Sequence, residues 1–541
     1  MKYDVIVVGG GAAGLTAAAY AARTGRSVAL FERQAELGGL VQSVNRNGFV
    51  FDMGLRAIEN SGIVLPMAAE LDLPLEYLRS QVSVGVADRV IAVETKDSLG
   101  DYRRLLESFY PESRADIERI MDVIRRIMKD MDVLYGIDNP LFKDLTSDYS
   151  YVLRTLIPWS LRFLLTIGRI NRMNGPIEEL LASLTTNESL RSIVGQHFFR
   201  STPAFFAMSY FSVYLDYLYP KGGTGTLMDL LADYGSRQGV SIHRGNGVAR
   251  LDPDRRTIAC DDGSRHEYGA LVWAADLNAL YASIDLSRVS DPRDRRRIAA
   301  RRDELARHEG GDSVFSVFLA VDEPPEYFAS KSHGHFFYTP DPRGLGDRRT
   351  RRLEELVSAL EAGSAGWDEV AAYLREFLAR NTFEISIPVL KDPAMAPPGK
   401  TGLIVSWLFD YRLTELIRER GWYDEVRELC MDEAVRILSA SVYPGIDAKV
   451  EDRFATTPHS IAGRTGSTGG AITGWELGPA PVPVVHKMQQ VSAAVTTPVP
   501  GVFKAGQWAY SPSGLPIALL TGKLAAQRAV RGPRGPRRSA Q

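Results

Sequence analysis

The sequence predicts a two-lobe α/β protein, in which one lobe is assembled from separated parts of the chain and the other has mixed α+β structure. Three observations support this prediction. Residues 3–32 have the pattern of strand, glycine turn, helix and second strand. Further glycine-rich turns, each leading into a helical segment, occur at 219–227 and 501–516. A chain of 541 residues is also too long for one compact core.

The N-terminal segment has the pattern of a Rossmann-type unit. Residues 3–8, YDVIVV, are a short β-rich run, typical of a strand buried on both faces. The turn GGGAAG at 9–14 leads into the Ala-rich helix LTAAAYAARTG, and the strand SVALFE then ends in Glu32. This order of strand, G-x-G-x-x-G turn, helix, strand and acidic residue predicts a dinucleotide-binding unit. The alternative is a glycine turn that binds no ligand.

The glycines of the turn have separate physical roles. Gly9 makes the tight turn, Gly11 lets the backbone approach a diphosphate, and Gly14 lets the helix pack close to the strand. The helix N-terminus offers N–H groups and the positive end of a dipole to that diphosphate. Glu32 can accept hydrogen bonds from the adenosine ribose hydroxyls and would repel a 2′-phosphate.

NAD and FAD both use such a turn, so the following residues must distinguish them. The pair Gly38-Gly39 comes after Glu32 and is followed by the strand-like run GFVFDMG at 48–54. Here the sequence resembles the FAD-dependent amine-oxidase superfamily. In that superfamily the glycine pair begins a second loop around the diphosphate and ribityl chain, and a D-x-G such as Asp52-Met-Gly54 leads to the flavin ring. The resemblance therefore implies FAD rather than NAD.

Two later blocks narrow the resemblance. The run YPKGGTGTL at 219–227 heads a helix and is followed by a strand of the kind found near the adenine. The runs PGVFKAG at 500–506 and SGLP at 513–516 precede a helix whose N-terminus would point at the flavin O2 and N1 region. These blocks are similar to the bacterial phytoene desaturases, whose relatives include carotenoid isomerases and retinol saturases. The runs at 392–403 and 469–479 agree with that resemblance.

The turn and the resemblance together predict an FAD site. Its predicted residues are Gly9, Gly11, Ala12, Ala13, Gly14, Glu32, Arg33, Gly38, Gly39, Leu40, Gly54, Leu55, Arg56, Gly247, Val248, Ala274, Gly506, Gln507, Gly514, Leu515 and Pro516. The desaturases typically continue D-x-G with Pro and a small hydroxylated residue, whereas this chain has Leu55-Arg56. Arg56 would place a cation near the flavin or the substrate head, and it is the one candidate catalytic residue. Pairing of Arg56 with Glu59 is the alternative.

The resemblance also predicts how the chain divides between the lobes. The FAD lobe is expected from 1–80, 215–290 and 490–530, the substrate or lid lobe from 81–214 and 291–489, and a flexible basic tail from 531–541. In the substrate lobe, the apolar i, i+3, i+4 stripe at 113–135 and the aromatic cluster at 197–219 can line a tunnel. Ordinary core packing is the alternative for both.

Residues 151–170, YVLRTLIPWSLRFLLTIGRI, predict a helix that contacts a membrane. Arg154, Arg162 and Arg169 fall within roughly one quadrant of a helical wheel, and aliphatic and aromatic residues occupy the rest. Pro158 predicts a break or kink. A basic stripe beside a broad apolar face suits shallow insertion into an anionic bilayer. A buried helix with outward-reaching arginines is the alternative.

The composition argues against several other classes of protein. The formal net charge of −2 gives no reason to expect a nucleic-acid partner. Two cysteines exclude a disulfide scaffold, and no spacing among the eight histidines predicts a metal site. No signal peptide and no transmembrane run is predicted. We therefore expect a cytoplasmic protein, peripheral on the inner face of the membrane.

The predicted activity is FAD-dependent oxidation at carbon–carbon bonds of a carotenoid or related apolar isoprenoid, with quinone, oxygen or another acceptor reoxidising the flavin. A polyene isomerase or saturase that uses reduced FAD is one alternative. A flavin amine oxidase is another, with Trp508 and Tyr510 as the candidate aromatic pair around the flavin. A non-enzymatic FAD-binding scaffold is the remaining one.

Overall fold

The computed structural model describes residues 1–143, 145, 148–346, 349–478, 482–487 and 490–531, so residues 532–541 of the predicted basic tail lie outside the described residues. The strands are β1 (Lys2–Val8), β2 (Val28–Phe31), β3 (Ser43–Arg46), β4 (Phe49–Asp52), β5 (Ile58–Glu59), β6 (Tyr77–Arg79), β7 (Val82–Val86), β8 (Arg89–Val93), β9 (Tyr217–Pro220), β10 (Ser241–His243), β11 (Val248–Asp252), β12 (Thr257–Cys260), β13 (Arg265–Trp273), β14 (Ser313–Val321), β15 (His335–Thr339), β16 (Phe383–Ser386), β17 (Thr401–Phe409), β18 (Val450–Thr456) and β19 (Val502–Lys504).

The α-helices lie between these strands in the chain and pack against the two seven-stranded sheets. They are α1 (Ala12–Ala22), α2 (Val64–Glu70), α3 (Ser98–Phe109), α4 (Arg114–Leu134), α5 (Tyr149–Tyr151), α6 (Ile157–Ile170), α7 (Ile177–Leu184), α8 (Glu188–Gly195), α9 (Ala204–Leu215), α10 (Thr226–Arg237), α11 (Leu277–Ala282), α12 (Pro292–Leu305), α13 (Pro325–Ala329), α14 (Arg349–Glu361), α15 (Trp367–Arg380), α16 (Tyr411–Glu419), α17 (Tyr423–Ser439), α18 (Pro458–Thr465), α19 (Val491–Ala494) and α20 (Leu515–Val530).

The first sheet carries the N-terminal glycine turn. Its strand order is β10-β2-β1-β13-β12-β11, and β19 also pairs with β13. Strands β10, β2, β1, β13 and β19 run parallel, whereas β11 and β12 form an antiparallel extension. Because β1 lies between two strands and under helices, Val5 to Val8 are buried, which explains the uninterrupted apolar run. The predicted boundaries of the FAD lobe stay a prediction.

The second sheet forms the wall opposite the first. Its order is β18-β14-β17-β16-β15-β7-β8, antiparallel except for the parallel pair β15 and β7. Strand residues alternate between two faces. On β14, Phe315 and Val317 pack into a core with residues of α14 to α17, whereas Val314 and Ser316 face a large cavity. This alternation places the cavity on one side of the sheet and the helices on the other.

The predicted apolar stripe at 113–135 forms the inner face of α4. Its buried members are Ile117, Ile120, Met121, Ile124, Ile127, Met128 and Met131. They belong to a core that also holds residues of α3 and α9. Leu134, at the C-terminal end of α4, lines the cavity. The stripe is therefore mainly core packing, and only its last turn reaches the cavity.

The segment around α6 is irregular directly before Pro158. A single wide π-helical turn, Val152–Leu156, joins α5 to α6, and the helical path continues through Pro158. Proline is tolerated in the first turn of a helix because its missing N–H is not needed there, and the wide turn comes directly before it. The helix is not broken at Pro158, and the irregularity takes the form of the wide turn before it. Within the described residues, no helix is long and apolar enough to cross a membrane.

Candidate functional site

A cavity of about 800 Å³ lies between the two sheets and extends to α6. It brings together most of the residues predicted for the FAD site. Those that line it are Gly9, Gly11, Ala12, Ala13, Glu32, Gly38, Gly39, Leu40, Gly54, Leu55, Arg56, Ala274, Gly506, Gln507, Gly514, Leu515 and Pro516. Residues from distant parts of the sequence thus meet around one space.

Four predicted residues do not line this cavity: Gly14, Arg33, Gly247 and Val248. Gly14 lies behind the turn, inside the first helical turn of α1. The Nη2 atom of Arg33 donates to the carbonyl oxygen of Gly463 at 2.6 Å. Val248 is the first residue of β11, and Gly247 comes directly before it. Their assignment to the cofactor stays a prediction.

The glycine turn forms a slot without side chains. Gly9 has a φ of +102°, and a Cβ atom there would lie 2.8 Å from the Ala274 carbonyl oxygen. A Cβ atom on Gly11 would lie 3.9 Å from the Cα atom of Gly39, so these two glycines face each other. Gly11 begins α1 without a side-chain cap, and the first N–H groups of a helix lack partners within the helix. The slot can therefore hold an anionic group against the start of α1.

Glu32 stands at the carboxyl end of β2, beside this slot. Its Oε2 atom accepts a hydrogen bond from the Gly10 N–H at 2.6 Å, and Oε1 accepts one from the Gln34 N–H at 2.8 Å. These two bonds hold the carboxylate at the cavity lining. A carboxylate at this point can accept hydrogen bonds from a ribose.

Asp52 joins two of the sequence blocks. It is fully buried. Its Oδ2 atom accepts a hydrogen bond from the Tyr219 hydroxyl at 2.6 Å, and its Oδ1 atom accepts one from the Thr224 N–H at 2.8 Å. The D-x-G run is thereby tied to the turn that heads α10, and Gly54 follows into the cavity lining.

The C-terminal block approaches the slot from the other side. Gly506 donates its N–H to Thr521 Oγ1 at 3.0 Å, which ties the end of β19 to α20. A Cβ atom on Gly522 would lie 2.4 Å from the Ala13 carbonyl oxygen, so α20 and α1 pack very closely. α20 begins after Gly514 without a side-chain cap. The cavity is thus bordered by two uncapped helix N-termini, and each favours negative charge.

Arg464, in α18, is a cavity residue that sequence reasoning missed. Its Nη1 atom donates to Gln42 Oε1 at 3.1 Å. Its buried Nη2 atom has no hydrogen-bond partner among the described residues. Burial, followed by the charge of Arg56, lowers its pKa. An unpartnered buried donor beside the slot fits an anionic ligand. No local pattern marks it, since its partner Gln42 is 422 residues away in the chain.

Arg56 is 4% exposed and lines the cavity. Its Nη1 atom donates to the Asp52 carbonyl oxygen, and its Nη2 atom donates to Ser406 Oγ at 3.0 Å and to Ser316 Oγ at 3.3 Å. The alternative pairing with Glu59 is not formed. Glu59 instead accepts a hydrogen bond from the Ser61 hydroxyl.

Three further polar residues beside Arg56 were missed from the sequence. Glu384 lines the cavity and accepts a hydrogen bond from His335 Nε2 at 3.0 Å. Lys391 donates to the Arg56 carbonyl oxygen and to Ser386 Oγ, both at 2.8 Å. Burial lowers the pKa of Lys391 to about 7. They lie in otherwise apolar segments, so neither spacing nor motif distinguishes them.

Away from the slot, the cavity becomes apolar. α6 contributes Trp159, Phe163, Ile167 and Ile170. The predicted aromatic cluster at 197–219 divides between lining and core: Phe199, Phe205, Phe206, Tyr210 and Tyr217 line the cavity, whereas Phe198, Phe211 and Tyr214 are packed in the core. Among the described residues, no group of three or more His, Cys, Asp or Glu side chains could hold a metal ion.

This fold and cavity define a flavin-dependent oxidoreductase of two lobes. The chain belongs to the flavin containing amine oxidoreductase family, whose model matches residues 12–530. The superfamily resemblance, the α/β fold and the FAD cofactor predicted from the sequence are thereby confirmed.

Two curated proteins and one solved structure illustrate the relationship. The chain is 20% identical to all-trans-retinol 13,14-reductase of Danio rerio, over 93% of this chain and 82% of that protein. It is 25% identical to phytoene dehydrogenase of Streptomyces griseus, over 98% and 95%. A redesigned triple mutant of putrescine oxidase superposes with a TM-score of 0.60 at 14% identity, over 98% and 99%, which reflects the shared fold.

The residues present fit FAD. The side-chain-free slot at the start of α1 and the unpartnered Nη2 of Arg464 suit its diphosphate, and Glu32 suits its ribose. The uncapped start of α20 borders the region of Gly506 and Gln507, where a flavin ring can lie. When bound, FAD supplies the capacity to accept or deliver a hydride.

Proposed function

We propose that this oxidoreductase acts on carbon–carbon bonds of a carotenoid or related apolar isoprenoid. The supporting observation is the form of the cavity. One end is the polar, side-chain-free slot. The other end, which we call the apolar arm, is lined by Trp159, Phe163 and Ile167 of α6. A long flexible hydrocarbon fits such an arm, because apolar side chains exclude water along its length. The names of the retinol reductase and phytoene dehydrogenase relatives support the same substrate class.

The roles we propose for the chain's own residues are binding and orientation. The slot residues predicted from the sequence hold the cofactor, and Trp159, Phe163 and Ile167 hold the hydrocarbon and exclude water. Positioning a reactive C–H bond in a dry site accounts for much of the rate enhancement that such an enzyme needs. Arg56 places a cation at the junction of slot and arm. Quinone or oxygen is the electron acceptor that we propose.

We also propose that the enzyme is peripheral on the cytoplasmic face of a membrane and attaches through the outer face of α6 and the turn before it. This surface, which we call the α6 outer face, is strongly exposed and apolar. It comprises Leu153 (64% exposed), Ile157 (50%), Leu161 (65%), Leu164 (67%) and Leu165 (73%). Large exposed apolar groups on one helix are typical of membrane contact.

The position of the α6 outer face supports its role in substrate entry. The same helix presents Trp159, Phe163 and Ile167 to the cavity. Arg154 and Arg162 are exposed and suit anionic lipid head groups, whereas Arg169 forms an ion pair with Asp130. A hydrocarbon that leaves the bilayer at α6 would therefore have only one helix to pass before it reaches the cavity.

This proposal includes both oxidation and reduction of the isoprenoid. Desaturation requires oxidised FAD, whereas isomerisation or saturation requires reduced FAD. A flavin amine oxidase is the alternative from another class. It is supported by the fold shared with putrescine oxidase and by Trp508 and Tyr510, which are 4% and 5% exposed and line the cavity.

The test is an anaerobic titration of the FAD-loaded protein with phytoene in liposomes, with flavin absorbance as the readout and pigment chromatography of the products. Bleaching of the flavin together with longer polyenes supports desaturation. Conversion of a polyene only by dithionite-reduced enzyme supports the reductive direction. Turnover of amines with release of peroxide, and of no polyene in either redox state, would overturn the proposal.

A further inference from the structure

A row of polar side chains crosses the apolar sheet that faces the cavity. Ser316 on β14, Ser406 on β17 and Glu384 on β16 are cross-strand neighbours in register. The two serine hydroxyls are 2.8 Å apart, and both serines and Glu384 line the cavity. Burying polar groups in a sheet is costly unless they are hydrogen-bonded. Both serines accept hydrogen bonds from Arg56, so the row places Glu384 beside a buried cation in the cavity wall.

His335 on β15 fixes the orientation of Glu384. It is 2% exposed, and its ring stacks on Tyr217 with centroids 5.2 Å apart. Its Nε2 atom lies 3.0 Å from Glu384 Oε1, while its buried Nδ1 has no hydrogen-bond partner among the described residues. Burial lowers the pKa of His335, so the ring is neutral and donates its one N–H to the carboxylate.

The charges around Glu384 favour its ionised form. Burial opposes ionisation, but the hydrogen bond from His335 and the positive charges of Arg56 and Lys391 outweigh it and lower the pKa of Glu384. The side chain is nevertheless 37% exposed, toward the cavity that it lines. The other titratable side chains that interact with Glu384 are His197, Tyr210, Tyr214 and Tyr217.

We infer that Glu384 is the proton-transfer residue of the reaction and that His335 is its positioning residue, an inference that rests on the proposed function. In desaturation, Glu384 takes the proton from one carbon as a hydride leaves the adjacent carbon for oxidised FAD. The electron pair of the first C–H bond becomes the new π bond, and Glu384 becomes the neutral acid. In saturation, protonated Glu384 would return that proton to the first carbon, and the adjacent carbon would receive the hydride that the bound reduced cofactor can supply.

The other carboxyl group near the apolar arm, Glu59, is less suited to this role. It accepts hydrogen bonds from Ser61 and Tyr135, and burial raises its pKa. Among the described residues, no positive charge offsets that burial. Glu59 is therefore a less favourable ionised base than Glu384, whose pKa is lowered.

The first test compares Glu384→Gln with wild type in the anaerobic flavin-bleaching reaction. Loss of a general base typically costs 100-fold or more, so we expect bleaching at least about 100-fold slower. Glu384→Asp should recover part of that rate. The control is Glu433→Gln, which makes the same change in α17, at a carboxylate paired with Arg436 and outside the cavity lining. If the flavin bound to Glu384→Gln bleaches as fast as the flavin bound to wild type, the inference is wrong.

The second test uses the apoprotein and does not depend on turnover. Infrared spectra are recorded during a pH titration of wild type and of Glu384→Gln. The difference between the two sets isolates the carboxyl band of Glu384. His335→Phe removes the hydrogen bond to Glu384, so we expect the titration midpoint of that band to move to higher pH. The low-pH limb of the bleaching rate should move in the same direction. An unchanged midpoint in His335→Phe would exclude a positioning role for His335.

The two tests separate this inference from the proposed function. If wild-type protein fails to react with any polyene in either redox state, the substrate class is wrong. If wild type reacts and Glu384→Gln reacts equally well, only the proton-transfer role is wrong. Circular dichroism and FAD affinity of each variant, compared with Glu433→Gln, exclude misfolding as the cause of a slow reaction.

Discussion

Gly14 lies so close to Gly9 that a Cβ atom on Gly14 would stand 1.8 Å from the Gly9 carbonyl oxygen. That oxygen belongs to backbone held between β1 and α1, so it cannot move away as a flexible side chain would. Gly14 does not line the cavity, but it permits the geometry of the residues that do.

We therefore predict that Gly14→Ala abolishes FAD binding, because the start of α1 must shift away from β1 to make room for the methyl group. Retention of FAD during purification and fluorimetric titration of the apoprotein measure this. The control is Gly100→Ala in α3, where the nearest atom to the added Cβ is a side-chain nitrogen at 3.7 Å. Normal FAD affinity in Gly14→Ala would contradict the prediction.

Arg464→Met should weaken FAD binding without removing it. A charge-assisted hydrogen bond contributes about 1.5–3 kcal/mol, so the dissociation constant should rise about 10- to 150-fold. Quenching of flavin fluorescence on titration with apoprotein measures the constant. Arg453→Met on β18, whose arginine forms ion pairs with Glu428 and Asp432, is the matched control and should bind as wild type does. Equal affinities for the two variants would show that Arg464 does not contact the cofactor.

Substitution of the α6 outer face should release the protein from lipid. Leu161→Asn, Leu164→Asn and Leu165→Asn together remove three exposed apolar groups, each of which contributes about 1.5–3 kcal/mol when fully buried. We expect binding to anionic vesicles to fall by more than about tenfold in a flotation assay. The control, Val44→Asn with Tyr77→Asn, removes exposed apolar groups elsewhere. If the triple variant floats with vesicles as wild type does, membrane contact lies on another surface.

The exposed arginines beside the α6 outer face allow a separate prediction. Arg154→Gln with Arg162→Gln should weaken binding to anionic vesicles but leave binding to neutral vesicles unchanged, because only the electrostatic part is removed. Each cation near such a surface contributes about 1 kcal/mol. Added salt should reduce the difference between the variant and wild type. A loss of equal size on both vesicle types would argue against an electrostatic role.

Lys504 on β19 should make stability depend on pH. Burial, followed by the charge of Arg301, lowers its pKa to about 7 from 10.5. Between these values the unfolded chain binds a proton that the folded protein does not, so the free energy of unfolding rises with pH across that window. Lys504→Met, which keeps the length without the amine, removes this dependence.

The measurement is urea denaturation at pH values from about 7 to about 10. The free energy of unfolding of wild type, minus that of Lys504→Met, should increase with pH. Lys221→Met, at an exposed lysine paired with Glu76, is the control and should show no such rise near neutral pH. A difference for Lys504→Met that stays constant with pH would contradict the prediction.

The local patterns predicted those parts of the fold whose causes are local. The turn Gly9 to Gly14 and the strand directly before Glu32 appear where the residues place them, because tight turns and buried parallel strands impose strict residue requirements. The stripe of α4 likewise follows from helical periodicity. The family resemblance added the order of the later blocks, which no local pattern supplies.

Only the structure shows which residues form the cavity wall opposite the slot. Glu384, His335, Lys391 and Arg464 lie in segments whose neighbours are apolar or unremarkable, and each acquires its role from residues far away in the chain. The same holds for Arg56: its sequence neighbour Glu59 was the alternative partner, but its acceptors include Ser316 and Ser406.

The sequence by itself thus determined the N-terminal dinucleotide-binding unit, because it depends on short segments with strict backbone and side-chain requirements. The resemblance carried by the later sequence blocks supplied the cofactor and the class of protein. Only the tertiary structure decided that α6 exposes leucines on one side and lines the cavity on the other, and that a carboxylate, a histidine and a lysine meet beside Arg56. The physical reason is that burial and electrostatic environment are set by long-range packing, which a linear pattern does not contain.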